Sequence, residues 1–330
     1  MAVQQKTVQK KYYRILSFDG GGVRGVLPAI LLLRLARQCP KVIKNTNLFV
    51  GTSVGSFIAL ALASGMKPDD IVELFSYENV KKIFCRPRSF YFFRPKHRNE
   101  ILKKLLEETF SPTLRLKDLP HHVVVPSFRL YSKKTRIWEP VFFNNFPSSE
   151  NADERVVDVA LASSAAPIYF PSYNDCIDGG VIANNPDMVA ISYAVGEHAA
   201  NAKLSNIVHL SFGTGWNPLK IDRNTSHWGL IQWMYSFLPG YTNPKLPLLS
   251  VFTDGDVAAD MYVTRHLLND RYMRISPELN ERIHLDDYTK LPALIEIGNQ
   301  FDLLPALAFV ETHWNDENIN FRAIKPNEND

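Results

Sequence analysis

Short apolar runs alternate with longer stretches of helical periodicity through most of this chain, the pattern of strands and helices taking turns in an α/β fold. Tyr12 to Phe18 predicts a first strand, with a helix from about Val26 to Gln38 behind it. Asn47 to Val50 is short and ends apolar. The alanine-rich run Phe57 to Ala63 then stops at Gly65, as a buried helix with a glycine C-cap does. Pro68 to Tyr77 predicts a short helix with Asp69, Asp70 and Glu73 in its early turns, where the helix dipole favours acids. Asn99 to Phe110 places Ile101, Leu102, Leu105 and Leu106 on one helical face. His122 to Tyr131 and Arg136 to Phe143 predict two strands joined by a hairpin turn at Ser132 to Thr135, an antiparallel addition to a parallel core.

The later chain continues the alternation. A helix is expected over Asp153 to Ser163, a strand ending at Cys176-Ile177-Asp178, a helix after Asn184-Asn185-Pro186 and a strand over Ile207 to Phe212. Val257 to Leu268, Tyr272 to Ile275 and Leu291 to Glu311 predict helix, strand and helix. No repeat, low-complexity tract or linker interrupts the series, so one domain is expected over 12–315. A flexible N-terminus, 1–11, precedes it and a polar tail, 316–330, follows.

Two stretches depart from the alternation. Lys81 to Arg98 interleaves Phe84, Phe90, Tyr91, Phe92 and Phe93 with seven basic residues and two prolines. It reads either as an interface with anionic lipid or as a surface connection whose aromatics fold back into the core. His227 to Phe252 is rich in large apolar residues and reads as core packing, as a cover over a site, or as part of an acyl channel.

Composition narrows function more than fold. The 330 residues are 45% hydrophobic and 22% charged, ordinary for a globular protein with a substantial core. Lys plus Arg, 37, against Asp plus Glu, 34, leaves a formal charge of +3, which makes no case for nucleic acid. Cys39, Cys85 and Cys176 lie far apart and show no metal-ligand spacing, which suits free thiols in a reducing compartment. Met1 to Lys11 is polar with no apolar signal-type stretch behind it, and no run of about 18 apolar residues exists to span a bilayer. A cytoplasmic protein with peripheral membrane contact is the expectation. His121 and His122 form the histidine pair and lack further ligands in sequence, so no metal is expected.

The candidate chemistry sits where predicted strands run into glycines. Asp19-Gly20-Gly21-Gly22-Val23-Arg24-Gly25 follows the first strand and leaves backbone NH groups bare beside a helix N-terminus, a nest for negative charge. A phosphate loop needs a Gly-Lys-Ser/Thr ending, and a dinucleotide loop needs an acid about 20 residues on; both are absent. An oxyanion hole for acyl transfer gains by comparison, because the next strand delivers Gly51-Thr52-Ser53-Val54-Gly55. A serine between two glycines at a strand-to-helix bend is the layout of a nucleophile elbow. Cys176-Ile177-Asp178-Gly179-Gly180 ends another strand in a carboxylate, which reads either as a base for that serine or as an ordinary cap of a glycine turn.

Taken together, DGGGVRG at 19–25, GTSVG at 51–55, ASSAAPIYF at 162–170 and DGG at 178–180 resemble the patatin-like phospholipases, in that family's order, over a layout reaching to about Gly215. The resemblance implies a three-layer α/β/α sandwich around a mainly parallel sheet and hydrolysis of acyl esters in phospholipids or galactolipids at a membrane surface, with no cofactor. It implies Ser53 as nucleophile, Asp178 as general base, Gly51 and Gly55 as the elbow, and Gly20, Gly21 and Gly22 with Arg24 and Gly25 as the oxyanion element. A solvated carboxylate, with a pKa near 4, is a weak base, so Asp178 is expected to be buried. Two alternatives remain: a histidine-dependent α/β-hydrolase esterase drawing on His209, His227, His266 or His284, and a non-catalytic module binding an anionic lipid or nucleotide.

Overall fold

The computed structural model describes residues 12–89, 93–235, 243–245 and 247–314; the expected flexible N-terminus and polar C-terminal tail lie outside them. Seven strands form one sheet: β1 (Tyr13–Phe18), β2 (Leu48–Gly51), β3 (His122–Arg129), β4 (Glu139–Asn144), β5 (Cys176–Asp178), β6 (Ile207–Phe212) and β7 (Tyr272–Ile275). The order is β4-β3-β2-β1-β6-β7. β2, β1, β6 and β7 continue the parallel run from β3, while β4 and β5 pair with β3 antiparallel.

Every residue of β1, β2 and β6 is buried, because helices cover both faces of the parallel strands. Alternate residues divide between two cores. Leu16, Phe18, Phe49, Val123, Leu210 and Phe212 face the larger one with the helices Val26–Gln38, Val54–Ala63 and Val156–Ser163. Tyr13, Ile15, Leu48, Val50 and Ile207 face a smaller one with the helix Asp187–Val195. The strand run Ile15 to Phe18 therefore reads as continuously apolar apart from Ser17, and that exception is informative. Ser17 lies on the second face, where its hydroxyl donates to Asp187 at 2.6 Å and meets His209 Nε2 at 2.8 Å. Tyr272 OH donates to the other Asp187 oxygen at 2.6 Å.

Three expected elements shift. The β3–β4 connection is longer than a hairpin turn, with Arg136 at φ 61° and the second strand beginning at Glu139. The helix expected from Val257 begins ten residues earlier, at Pro247. The long helix from Leu291 to Glu311 is two, meeting at 60°: Asp302 accepts the Leu304 NH at 2.9 Å and Pro305 sits in the first turn of the new helix, so the break carries its own start signals. No single helix among the described residues is long and apolar enough to cross a membrane.

Burial pushes the Asp187 carboxyl upward, but His209, Arg274 and the Ser17 and Tyr272 hydroxyls outweigh it and hold the group below the usual carboxylate range. Removing it leaves the buried Ser17 and Tyr272 hydroxyls without their acceptor and takes a second carboxylate from the field of buried Arg274, which keeps Asp19. Asp187→Ala is therefore expected to cost about 3–5 kcal/mol, read as a lowered urea midpoint, with Asp187→Asn costing less.

Candidate active site

β2 and β5 share one edge of β3 and meet head to head. Leu48 to Val50 pair with His122 to Val124, and Cys176 to Asp178 pair with Arg129 to Ser127 in the opposite direction. The sequence predicts Asp178 at the C-terminal end of a strand in a mainly parallel α/β sheet. It does end its strand, but that strand runs antiparallel and delivers the carboxylate inward, to the gap on β3 where β2 has stopped.

Ser53 leaves β2 at φ 53°, ψ −125°, a strained conformation for a residue with a side chain. The flanking glycines make the bend possible by having no side chain. A Cβ on Gly51 would overlap the Gly55 carbonyl, and one on Gly55 would overlap the carbonyls of Phe18 and Asp19. The bend is tied down from three sides. Thr52 Oγ1 donates to Ala183 O at 2.6 Å, Ser56 Oγ donates to Ser53 O at 2.5 Å, and the Ser53 NH donates to Ser163 Oγ at 2.9 Å. Ser163 Oγ in turn donates to Pro126 O at 2.7 Å, and the Asp178 and Gly179 NH groups donate to Ala165 O and Ser163 O, each at 3.0 Å. The small-residue segment at 162–166 thus braces both functional side chains. The run of small residues at 162–166 signals tight packing beside a site, and the hydrogen bonds of Ser163 give that packing its form.

Ser53 Oγ donates to Asp178 Oδ2 at 2.6 Å, and Asp178 Oδ1 accepts the Gly180 NH at 2.7 Å. Burial pushes the Asp178 carboxyl up to about 6, against the opposing pull of these two donors. Beside the pair, the Gly20 NH is taken by Asn184 O at 3.0 Å, whereas the Gly21 and Gly22 NH groups have no acceptor among the described residues. Gly22 holds φ 58°, and a Cβ there would overlap Leu285 O. Gly25 leaves room for the Val54 side chain and the Phe75 ring. Arg24 Nε reaches Gly21 O at 3.4 Å, a weak brace on the loop. Below it, Arg274 pairs with both oxygens of Asp19, which burial pushes up to about 6 despite that partner.

Of the four histidines considered as partners for Ser53, His209 does join a serine and an aspartate, but these are Ser17 and Asp187, fully buried on the other face of the sheet. His227 and His266 are exposed, and His284 lines the cavity described next; among the described residues no histidine bonds Ser53 or Asp178.

A cavity of about 660 Å³ opens over Ser53, Asp178, Gly21 and Gly22. One end is apolar, with Phe57, Phe75, Val80, Phe84, Leu102 and Leu106 on its wall, so the 68–109 segment is a large part of the pocket and not mere connection. Phe84 also packs on His97 and Phe170, so this aromatic of the 81–98 stretch folds inward, while Phe93 is 90% exposed; Phe90, Tyr91 and Phe92 lie outside the described residues. Tyr235, Ser250 and Thr253 also line the cavity, and Leu230, Ile231 and Phe252 near them in sequence are exposed. Within 227–252 these exposed residues do not form a core, and 236–242 and 246 lie outside the described residues.

A mainly parallel α/β sandwich with an apolar cavity over a buried serine–carboxylate pair is the build of a lipid hydrolase. The chain belongs to the patatin-like phospholipase family: the family model matches residues 16–191. CotR of Bacillus subtilis is 39% identical over 318 residues, 92% of this chain and 98% of that one, and protein teg of Priestia megaterium is 37% identical over 92% and 99%. A cGAMP-activated phospholipase of Pseudomonas aeruginosa is 32% identical over 54% of this chain and 56% of its own. Among solved structures, VipD of Legionella pneumophila aligns over 92% of this chain and 67% of its own, with a TM-score of 0.44 at 13% identity.

The raised Asp178 pKa has a thermodynamic consequence. A carboxyl whose folded pKa lies above its unfolded value of 3.8 destabilises the fold once ionised; the penalty is absent below about pH 4 and complete above about pH 6. Two pKa units correspond to about 3 kcal/mol. Asp178→Asn should therefore raise the thermal midpoint at pH 8 and lose that advantage near pH 4, as calorimetry at the two pH values would show.

Proposed function

We propose that the protein is a serine lipid acyl hydrolase that cleaves ester bonds of membrane lipids through Ser53 and Asp178. The observation that carries this reading is the 2.6 Å hydrogen bond from an elbow serine to a desolvated carboxylate, at the floor of an apolar cavity. Ser53 Oγ attacks the ester carbonyl as Asp178 takes its proton. The oxyanion that forms is met by the free NH groups of Gly21 and Gly22; one donor of this kind is worth about 3 kcal/mol. Gly20 contributes by holding the loop to Asn184 O, Arg24 by bracing Gly21, and Gly25 by letting the loop close on the elbow helix. The leaving alcohol takes the proton from Asp178. Water then attacks the acyl-serine with the same carboxylate as base, which regenerates Ser53.

Burial serves the chemistry here. With a pKa of about 6, Asp178 is a far better base than a solvated carboxylate and is still ionised at neutral pH. The apolar branch of the cavity suits an acyl chain. Leu230, Ile231 and Phe252, exposed and close in sequence to the lining residues Tyr235, Ser250 and Thr253, suit peripheral contact of a cytoplasmic protein with a lipid surface, and no cofactor takes part.

A fluorophosphonate probe is expected to label the wild type and not Ser53→Ala; an unlabelled wild type, or a labelled Ser53→Ala, would overturn the assignment of the nucleophile. On a soluble p-nitrophenyl ester, kcat/KM should rise with pH, half-maximal near 6 and level above about 7, and Asp178→Asn should lose at least about 100-fold in kcat. Replacing His209, His227, His266 and His284 one at a time by Ala should leave each variant well above Ser53→Ala in rate.

A further inference from the structure

The polar end of the cavity carries an uneven set of charges. Arg24 comes from the glycine loop, Arg282 from the segment between β7 and the helix Leu291–Gln300, and Asp254 from the helix Pro247–Leu268; all three line the cavity that holds Ser53. Arg24 is desolvated, and its ordinary value is lowered first by burial and further by the like charge of Arg282. Asp254 lies in the field of both guanidinium groups, yet burial raises its own value and weakens it as a counter-charge. Arg282 Nη2 reaches Ser250 Oγ at 3.4 Å, and its Nη1 is buried without an acceptor among the described residues. Of the charged side chains that line the cavity, Arg24, Arg282 and Lys245 stand against Asp178 and Asp254, which leaves a net positive charge. The neighbouring cluster contributes little: Asp286 is engaged by Lys96 at 2.6 Å and His97 at 2.7 Å.

The segment that carries Arg282 is tied to the glycine loop. Leu285, three residues on, accepts the Val23 NH at 2.8 Å and presses its carbonyl against Gly22. At about 3.5 Å per residue, Arg282 starts no more than about 11 Å from that contact, within reach of its long side chain. In a glycerophospholipid the phosphate stands a few covalent bonds from the ester carbonyl, so an ester at Ser53 brings a phosphate to this end of the cavity. A guanidinium with a free fork donor is well suited to bind it.

We propose that Arg282 is the phosphate-recognising residue of the cavity and selects glycerophospholipids over uncharged galactolipids. The inference rests on the hydrolase reading above, and its test has an arm that does not need turnover. With matched acyl chains, wild type should prefer phosphatidylcholine to monogalactosyldiacylglycerol. Arg282→Ala should lower kcat/KM for the phospholipid about tenfold, equivalent to about 1.4 kcal/mol, while leaving the galactolipid and a p-nitrophenyl ester within about twofold. Arg282→Lys should restore part of the loss. Equal loss on all three substrates, or no loss on the phospholipid, overturns the proposal.

The second arm measures binding of monomeric dibutanoylphosphatidylcholine to Ser53→Ala and to the Ser53→Ala, Arg282→Ala double variant. About tenfold weaker binding to the double variant is expected, and equal binding overturns the proposal. Inorganic phosphate bound as tightly, with the same dependence on Arg282, would make this a free-phosphate site and overturn the headgroup assignment. Absence of any Ser53-dependent hydrolysis would defeat the hydrolase reading alone, because the binding arm still decides the role of Arg282.

Discussion

The site depends on two strands competing for one edge of β3. β3 is long enough for both: β2 takes its first residues and β5 its last, from opposite directions. Neither can continue past the middle, so each ends there, β2 in the elbow and β5 in Asp178 followed by two glycines. Main-chain pairing thereby brings together two side chains 125 residues apart in sequence. Ser163 then fastens the junction, accepting from the Ser53 NH and donating to the Pro126 carbonyl that the strands leave bare.

That junction holds strain and an isolated carboxylate, and the rest of the fold offsets both. The elbow conformation is unfavourable for serine, and Asp178 loses its hydration for two hydrogen bonds. Around it the strands are buried on both faces, and the opposite face of β1, β6 and β7 is tied through Ser17, Asp187, His209 and Tyr272. Arg274 bonds Asp19 at the root of the glycine loop and lies in the field of Asp187, which couples the two sides by charge. The loop is held by side chains below and by Leu285 and Asn184 carbonyls beside it, which fixes the directions of its free NH groups.

The motif residues were legible because their chemistry is local. Three glycines after a strand, a serine between two glycines, and a carboxylate before two glycines are each visible within a few residues, and their order matched a known family. Most elements were legible for the same reason, since hydrophobic period reports which face is buried. The failures share a cause as well. The break at 301–303 was masked by uniform apolarity on both sides, although Asp302 and Pro305 marked it. The pocket wall from helices at 68–109 and the exposed apolar side chains near 230 and 252 show no difference in local pattern from ordinary packing.

The sequence by itself determined the alternation of strands and helices, the bend at Ser53 and the residue types available for acyl transfer, because backbone preference and side-chain chemistry are properties of neighbours in the chain. Only the tertiary structure decided that Asp178 arrives on an antiparallel strand, that His209 serves a different serine and aspartate, that Gly21 and Gly22 keep their NH groups free while Gly20 does not, and that Arg282 lines the same cavity as Ser53. Strand direction, hydrogen-bond partners and burial are set by which segments meet. For these residues the partners come from distant parts of the chain, so no local pattern carries the information.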